Sequence, residues 1–152
     1  MDRDPAVTAH GSALVPAGVR YVQGDLAEPE AILASGDLTG FIDFSRPACL
    51  VLTLVLHVLD PGTARAVVGV LVRALAPGSY LVVTAGAGES VALPESVWPG
   101  RFTADDLASF FAGLDTVPPG INQGGALCQT GFKATAAQAT GTAGPAGQPW
   151  TR

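Results

Sequence analysis

The pattern of apolar and polar positions is sharpest between residues 46 and 84. Residues 50–59 are almost unbroken apolar sequence, interrupted only by Thr53 and His57. They lack the period of two that marks a half-buried strand, so they predict a strand covered on both faces, as in the middle of a parallel sheet. Asp60 and Pro61 then supply a helix cap and a first-turn proline. Ala64, Val67, Val68, Leu71, Val72 and Leu75 follow at helical spacing and form one apolar stripe. Ala76, Pro77 and Gly78 stop that helix, and residues 79–84 read as the next strand. Strand, helix and strand make one right-handed βαβ unit, the building block of doubly wound sheets.

The flanking sequence is weaker. Asp4 and Pro5 predict the start of a short helix whose inner side is Ala6, Val7, Ala9, Ala13 and Leu14. Residues 16–18 make a turn, and 19–23 alternate like a strand that ends at Gly24 and Asp25. Residues 28–34 read as a helix that stops near Gly36, and 38–44 as a second short helix or turn. Beyond Thr84, residues 85–100 read mostly as a loop at the carboxyl end of a strand, where α/β sheets place ligand contacts. Thr103, Asp105 and Asp106 start another helix, with Leu107, Phe110, Phe111 and Leu114 as its apolar side. Residues 117–120 break it. Residues 131–135 are a candidate last strand, and 137–152 are low in complexity and expected to be disordered. The organisation expected is one α/β domain over 1–136 followed by a tail over 137–152.

Composition supports a folded chain. Its 152 residues are 48% hydrophobic and 14% charged, enough for one domain with its own core. A net charge of −5 argues against nucleic acid or an anionic membrane surface as partner. Cys49 and Cys128 form no metal-binding spacing and are expected to be reduced thiols. No apolar run is long enough to cross a bilayer, and the charged Asp2, Arg3 and Asp4 do not open a signal peptide. A cytoplasmic protein is the expectation.

Asp2 and Asp25 stand out chemically. Each is expected at the carboxyl end of a strand, just before a helix. A carboxylate there can accept hydrogen bonds from ribose hydroxyls or an adenine amino group, and helix capping is the commoner reason for an Asp at such a position. His57 lies at the far end of the apolar strand. It is a candidate general base, and a buried, hydrogen-bonded structural histidine is the commoner role for such a residue. Glu89, Glu95 and Trp98 are candidate pocket residues in the long loop. The chain carries no P-loop, zinc signature, Ser-His-Asp order or GxGxxG.

Five segments, in order, resemble an S-adenosylmethionine-dependent methyltransferase family abundant in actinomycetes. They are DRDPAVTAH from Asp2, YVQGDLAEPEAIL from Tyr21, RPACLVLTLVLH from Arg46, LAPGSYLV from Leu75, and FFAGLDTVPPGI from Phe110. The resemblance covers residues 2 to about 121. It implies a Rossmann-like class I methyltransferase sheet with S-adenosyl-L-methionine as methyl donor. By position, Asp2 matches the carboxylate that holds the ribose hydroxyls, and Asp25 with Leu26 matches the adenine contact. Thr53 to Leu56 match the strand segment that runs past the donor, with Thr53 and Leu54 as its candidate contacts, and His57 matches an L-H pair.

The departures from the family also carry expectations. Its first strand and glycine-rich loop have no counterpart here, so the sheet is expected to be partial. Strand 50–59 would then be a sheet edge. It would be left as such in a fragment, covered by a second copy or a partner chain, or covered by 19–23 closing up against it. Two main functions are in view: a methyltransferase acting on a small molecule, or a non-catalytic remnant or interaction module that has lost its cofactor. Another nucleotide-using enzyme on the same βαβ unit is a third, weaker reading.

Overall fold

A computed structural model describes residues 1–86, 101–121 and 126–139. Its centre is the βαβ unit. Strand β1 (Cys49–Thr53) pairs in parallel with β2 (Tyr80–Gly86), from Cys49 opposite Tyr80 to Thr53 opposite Thr84. Three helices precede β1: α1 (Pro5–Leu14), α2 (Pro29–Ala34) and α3 (Gly36–Thr39). Between β1 and β2 runs α4 (Pro61–Ala74), and after β2 come α5 (Ala104–Ser109), β3 (Asp115–Thr116), β4 (Ala126–Phe132) and α6 (Ala136–Ala139). The sheet order is β1-β2-β4-β3, with β4 antiparallel to both of its neighbours.

Local chemistry explains the helix that covers this sheet. The Asp60 carboxylate accepts from the N–H groups of Gly62 and Thr63, each at 3.0 Å, and caps α4 as the sequence predicts. The predicted stripe is the buried face: Ala64, Val67, Val68 and Leu71 pack with Leu52, Leu81 and Val83 of the sheet. The other end of α4 is closed from a distance. Lys133, just after β4, donates from Nζ to the carbonyls of Val72 at 2.9 Å and Leu75 at 2.6 Å, where a cation satisfies orphan acceptors and the helix dipole together. Helix α5 has its expected capping box, in which Thr103 and Asp106 bond reciprocally, with Phe102 and Leu107 at the staple positions buried in the same cluster.

Several expectations are corrected. The strand over 50–59 stops at Thr53, because Leu54 turns into the left-handed region at φ 52° and a 3-10 turn (Leu56–Val58) follows. Nor is it covered on both faces: Cys49, Val51 and Thr53 are exposed, Val51 at 56%. Residues 19–23 form no strand of their own and do not close up against β1. Their ladder contact is an isolated parallel bridge between Asp2 and Gln23, with Asp2 N–H donating to the Val22 carbonyl at 3.3 Å. Among the described residues β1 is therefore a sheet edge. Helix α1 buries none of its residues, leaving Val7 and Leu14 exposed. The second short helix lies at 36–39 rather than 38–44, and the helix at 103 ends at Ser109. The last strand is 126–132 rather than 131–135, since Gln129, a polar residue, occupies one of its buried positions and masks the alternation. The expected loop over 85–100 starts later, since Ala85 and Gly86 extend β2, and the expected tail over 137–152 begins inside α6; the rest of both, with Glu89, Glu95 and Trp98, lies outside the described residues.

Beside the free edge of β1 lies an apolar groove of about 260 Å³. One wall is β1 itself, Cys49 to Leu52, and the other includes Met1, Leu26, Ile32 and Phe44. An edge whose outward peptide groups adjoin apolar surface is a template for further strand pairing. Val51→Lys should therefore lower concentration-dependent self-association in light scattering, while changing stability by no more than about 0.5 kcal/mol, as befits an exposed site. Lys133→Met should cost about 1–2 kcal/mol in denaturant unfolding, through loss of its ammonium bonds at the end of α4, where Val72 keeps the Leu75 N–H and the Leu75 carbonyl loses the Lys133 ammonium.

Candidate functional site

The carboxyl ends of the parallel segments bring the candidate residues to two neighbouring places. At the first, the bridge between Asp2 and Gln23 sets Asp2 beside the turn that carries Asp25. Asp2 accepts from the Asp4 N–H through Oδ1 at 2.9 Å, and Asp25 accepts from the Ala27 N–H through Oδ1 at 2.9 Å. Each carboxylate is thus oriented by one backbone donor. For each, Oδ2 has no hydrogen-bond partner among the described residues. Asp4, rather than Asp2, is the cap of α1, accepting from the Ala6 N–H at 2.7 Å. Leu26 is buried and packs into the core next to Asp25.

The second place is the turn after β1. Thr53 is exposed at the strand's end. Leu54 follows in the left-handed conformation, 45% exposed, with its N–H shared between the Thr84 carbonyl at 3.0 Å and the Thr84 hydroxyl at 3.2 Å. A leucine held there costs about 1–2 kcal/mol, and such residues persist where surrounding bonds over-determine them. His57, three residues on, is 3% exposed. Its Nε2 accepts from the Gly86 N–H at 2.8 Å, and its ring meets Phe102 edge-on at 5.4 Å. Burial pushes the imidazole's pKa down, and a hydrogen bond with the Leu54 backbone acts in the opposite direction. The apolar groove adjoins both places, with Met1 and Leu26 on one wall and Leu52 on the other.

Sequence reasoning did not single out Thr84, Gly86 or Phe102. A threonine or glycine at a strand end and an aromatic before a helix cap carry no distinguishing pattern. The pairing of β1 with β2 brings Thr84 and Gly86 to the 54–57 turn, and the ring contact with His57 brings Phe102 there. Among the described residues no group of three or more His, Cys, Asp or Glu is placed to hold a metal ion, and no helix is long and apolar enough to cross a membrane.

A parallel pair extended by an antiparallel partner, with carboxylates at the carboxyl ends of the parallel segments, is the layout of a nucleoside-binding α/β sheet. The profile described as S-adenosyl methyltransferase matches residues 1–144. The chain belongs to that family. A crystal structure of a candidate methyltransferase from Thermobifida fusca is 29% identical, with a TM-score of 0.76, over 88% of this chain and 62% of its own. A protein from Streptomyces avermitilis is 25% identical with a TM-score of 0.74, over 87% of this chain and 63% of its own. The chain therefore spans less than two thirds of the length of either. Human N-acetylserotonin methyltransferase in complex with S-adenosylmethionine shares the fold, with a TM-score of 0.55 at 14% identity over 88% of this chain and 39% of its own. No match was found among curated proteins. The fold is a partial class I methyltransferase sheet, as the sequence predicts, and the family's cofactor is S-adenosylmethionine.

The residues present fit one end of that cofactor. Adenosine offers hydroxyl and amino donors on an apolar ring system. Asp2 and Asp25 are oriented acceptors, and Leu26 is an apolar neighbour. The strain at Leu54 is open to test by itself: Leu54→Gly should leave stability unchanged or raise it by up to about 1 kcal/mol, whereas the β-branched Leu54→Val should lower it, both read from thermal melts.

Proposed function

We propose that the chain contributes the adenosine-binding side of a methyltransferase acting on a small molecule. The observation that carries this reading is the pairing of Asp2 with Gln23. It brings two oriented carboxylates to the carboxyl ends of parallel segments, within a chain of the S-adenosyl methyltransferase family. In this reading Asp2 accepts from the ribose hydroxyls, Asp25 accepts from the adenine amino group, and Leu26 packs against the base. Thr53 and Leu54 line the path towards the reacting methyl. S-adenosylmethionine supplies an electrophilic methyl on a sulfonium sulfur that departs as a neutral thioether. What the protein adds is alignment and exclusion of water. The setting proposed is cytoplasmic, with neither nucleic acid nor membrane as partner, in keeping with the net charge of −5.

A second reading is an interaction module. The observation that favours it is the β1 edge beside an apolar groove, which combines unpaired strand backbone with apolar walls. That combination suits an extended apolar polypeptide strand, because only a peptide brings donors and acceptors to the edge while filling the groove.

Calorimetric titration with S-adenosylmethionine and S-adenosylhomocysteine, beside a thermal melt, separates the two. The methyltransferase reading expects micromolar binding and a raised melting point. It also expects Asp25→Ala to weaken binding by about tenfold or more, as for loss of one charge-assisted hydrogen bond, with the melting point of the free chain little changed. A folded chain that binds neither compound leaves the interaction module as the better reading.

A further inference from the structure

The histidine that ends the apolar stretch is usually weighed as an acid–base group, yet its surroundings assign it different work. We infer that His57 is a positioning residue: by accepting the Gly86 N–H, it holds the carboxyl end of β2 against the turn after β1 and so sets the shape of the crevice where a methyl donor would lie. The part of this inference that concerns the donor rests on the methyltransferase reading above.

The geometry is a cross-link between segments 29 residues apart. Parallel pairing of β1 with β2 ends at Thr53 opposite Thr84. Beyond that point the two chains would diverge, but two sets of bonds keep them together. The Leu54 N–H is held by Thr84, and then the imidazole of His57 reaches over to Gly86 at 2.8 Å. The second bond is buried, with His57 at 3% exposure and Gly86 also buried. A third element joins them, because Phe102 packs edge-on against the imidazole and against Phe110 at 5.6 Å. One ring thus ties together the turn after β1, the end of β2 and the entrance to α5.

The chemistry of the bond sets its limits. An Nε2 that accepts from a backbone N–H is unprotonated, which makes the ring the neutral Nδ1–H tautomer. The lone pair that a general base would use is the one engaged with Gly86. Protonation would replace an acceptor with a second donor facing the Gly86 N–H, and the cross-link would break. Among the described residues, the charged groups on the elements around it are Asp60, Arg101, Asp105 and Asp106, with Arg65 of α4 paired to Asp106. Burial lowers the imidazole's pKa, and the bond with the Leu54 backbone acts against it. The folded-state pKa therefore falls below the unfolded value near 6.5. The stabilisation that follows is fully present above about pH 6.5, and it is lost as the pH falls from there through the folded pKa.

The test compares the whole chain with His57→Gln, which keeps an acceptor near the Nε2 position, and His57→Phe, which keeps bulk and removes it. Amide hydrogen exchange and the Gly86 resonance are read by NMR between pH 7.5 and 5, and S-adenosylhomocysteine affinity is read by calorimetry. The expected result is a protected Gly86 amide in the parent and in His57→Gln, with protection lost in His57→Phe. In the parent, the resonance should shift with a midpoint below 6.5, and stability should fall over the same interval; both changes should vanish in His57→Gln. Affinity should drop about tenfold in His57→Phe and recover to within about threefold in His57→Gln, as expected for loss and return of one hydrogen bond. An unprotected Gly86 amide in the parent overturns the inference. So does a His57→Phe chain that binds as the parent does, or a folded, Gly86-protected His57→Gln chain that binds no better than His57→Phe. Should the parent bind no S-adenosylhomocysteine, the functional reading fails by itself, and Gly86 protection in the parent and His57→Gln still decides the role of His57. An unfolded His57→Phe leaves that comparison intact.

Discussion

Everything in this chain is arranged about the parallel contact between β1 and β2. Parallel strands cannot be joined by a tight turn, so the pair exists only because α4 crosses between them and lays Ala64, Val67, Val68 and Leu71 on their common face. That crossing fixes which ends of the strands lie side by side, and hence where Thr53, Leu54, His57, Thr84 and Gly86 converge. The remaining elements are attached to this unit, with β4 extending the sheet on one side and α2 packing against α4. The other side of the unit is the β1 edge.

How much of this was legible in the sequence depended on whether a residue's role was local. The caps of α1, α4 and α5 could be read directly, because an Asp or Thr beside Pro or an acidic residue declares itself within four positions. The stripe of α4 was equally plain, since its period is set by the helix and not by the partner. The β1 stretch departs from its pattern in coverage and at its carboxyl end. Its apolar run looks like a strand covered on both faces, yet Val51 is exposed, and the second half of the run folds into a turn held by Thr84. The apolar pattern records what a segment can bury, whereas the strand's length was decided by hydrogen bonds from another strand.

The same distinction applies to the site. Asp2 and Asp25 could be nominated from their places before helices, and the Asp2–Gln23 bridge shows that they neighbour each other. His57 could be read as a buried, hydrogen-bonded histidine, but its partner could not be named, because it lies 29 residues away on a glycine backbone that has no side chain to betray it. Gln129 is the mirror case. Its polarity hid β4, although it is buried and paired with Thr116 at 3.4 Å. Buried polar residues are where pattern reading fails most readily, since their partners and not their own polarity decide their place.

The reach of Lys133 to the end of α4 also bears on the order of folding. The contact joins residues 58 to 61 positions apart, so the last turn of α4, closed locally only by the Leu75 N–H on the Val72 carbonyl, gains its ammonium bonds from a distant segment. The β1–α4–β2 unit can gather early, since its contacts are comparatively short in sequence, but the far end of its helix is fully bonded only once β4 has docked. That single ammonium makes the crossover helix and the last strand parts of one cooperative unit.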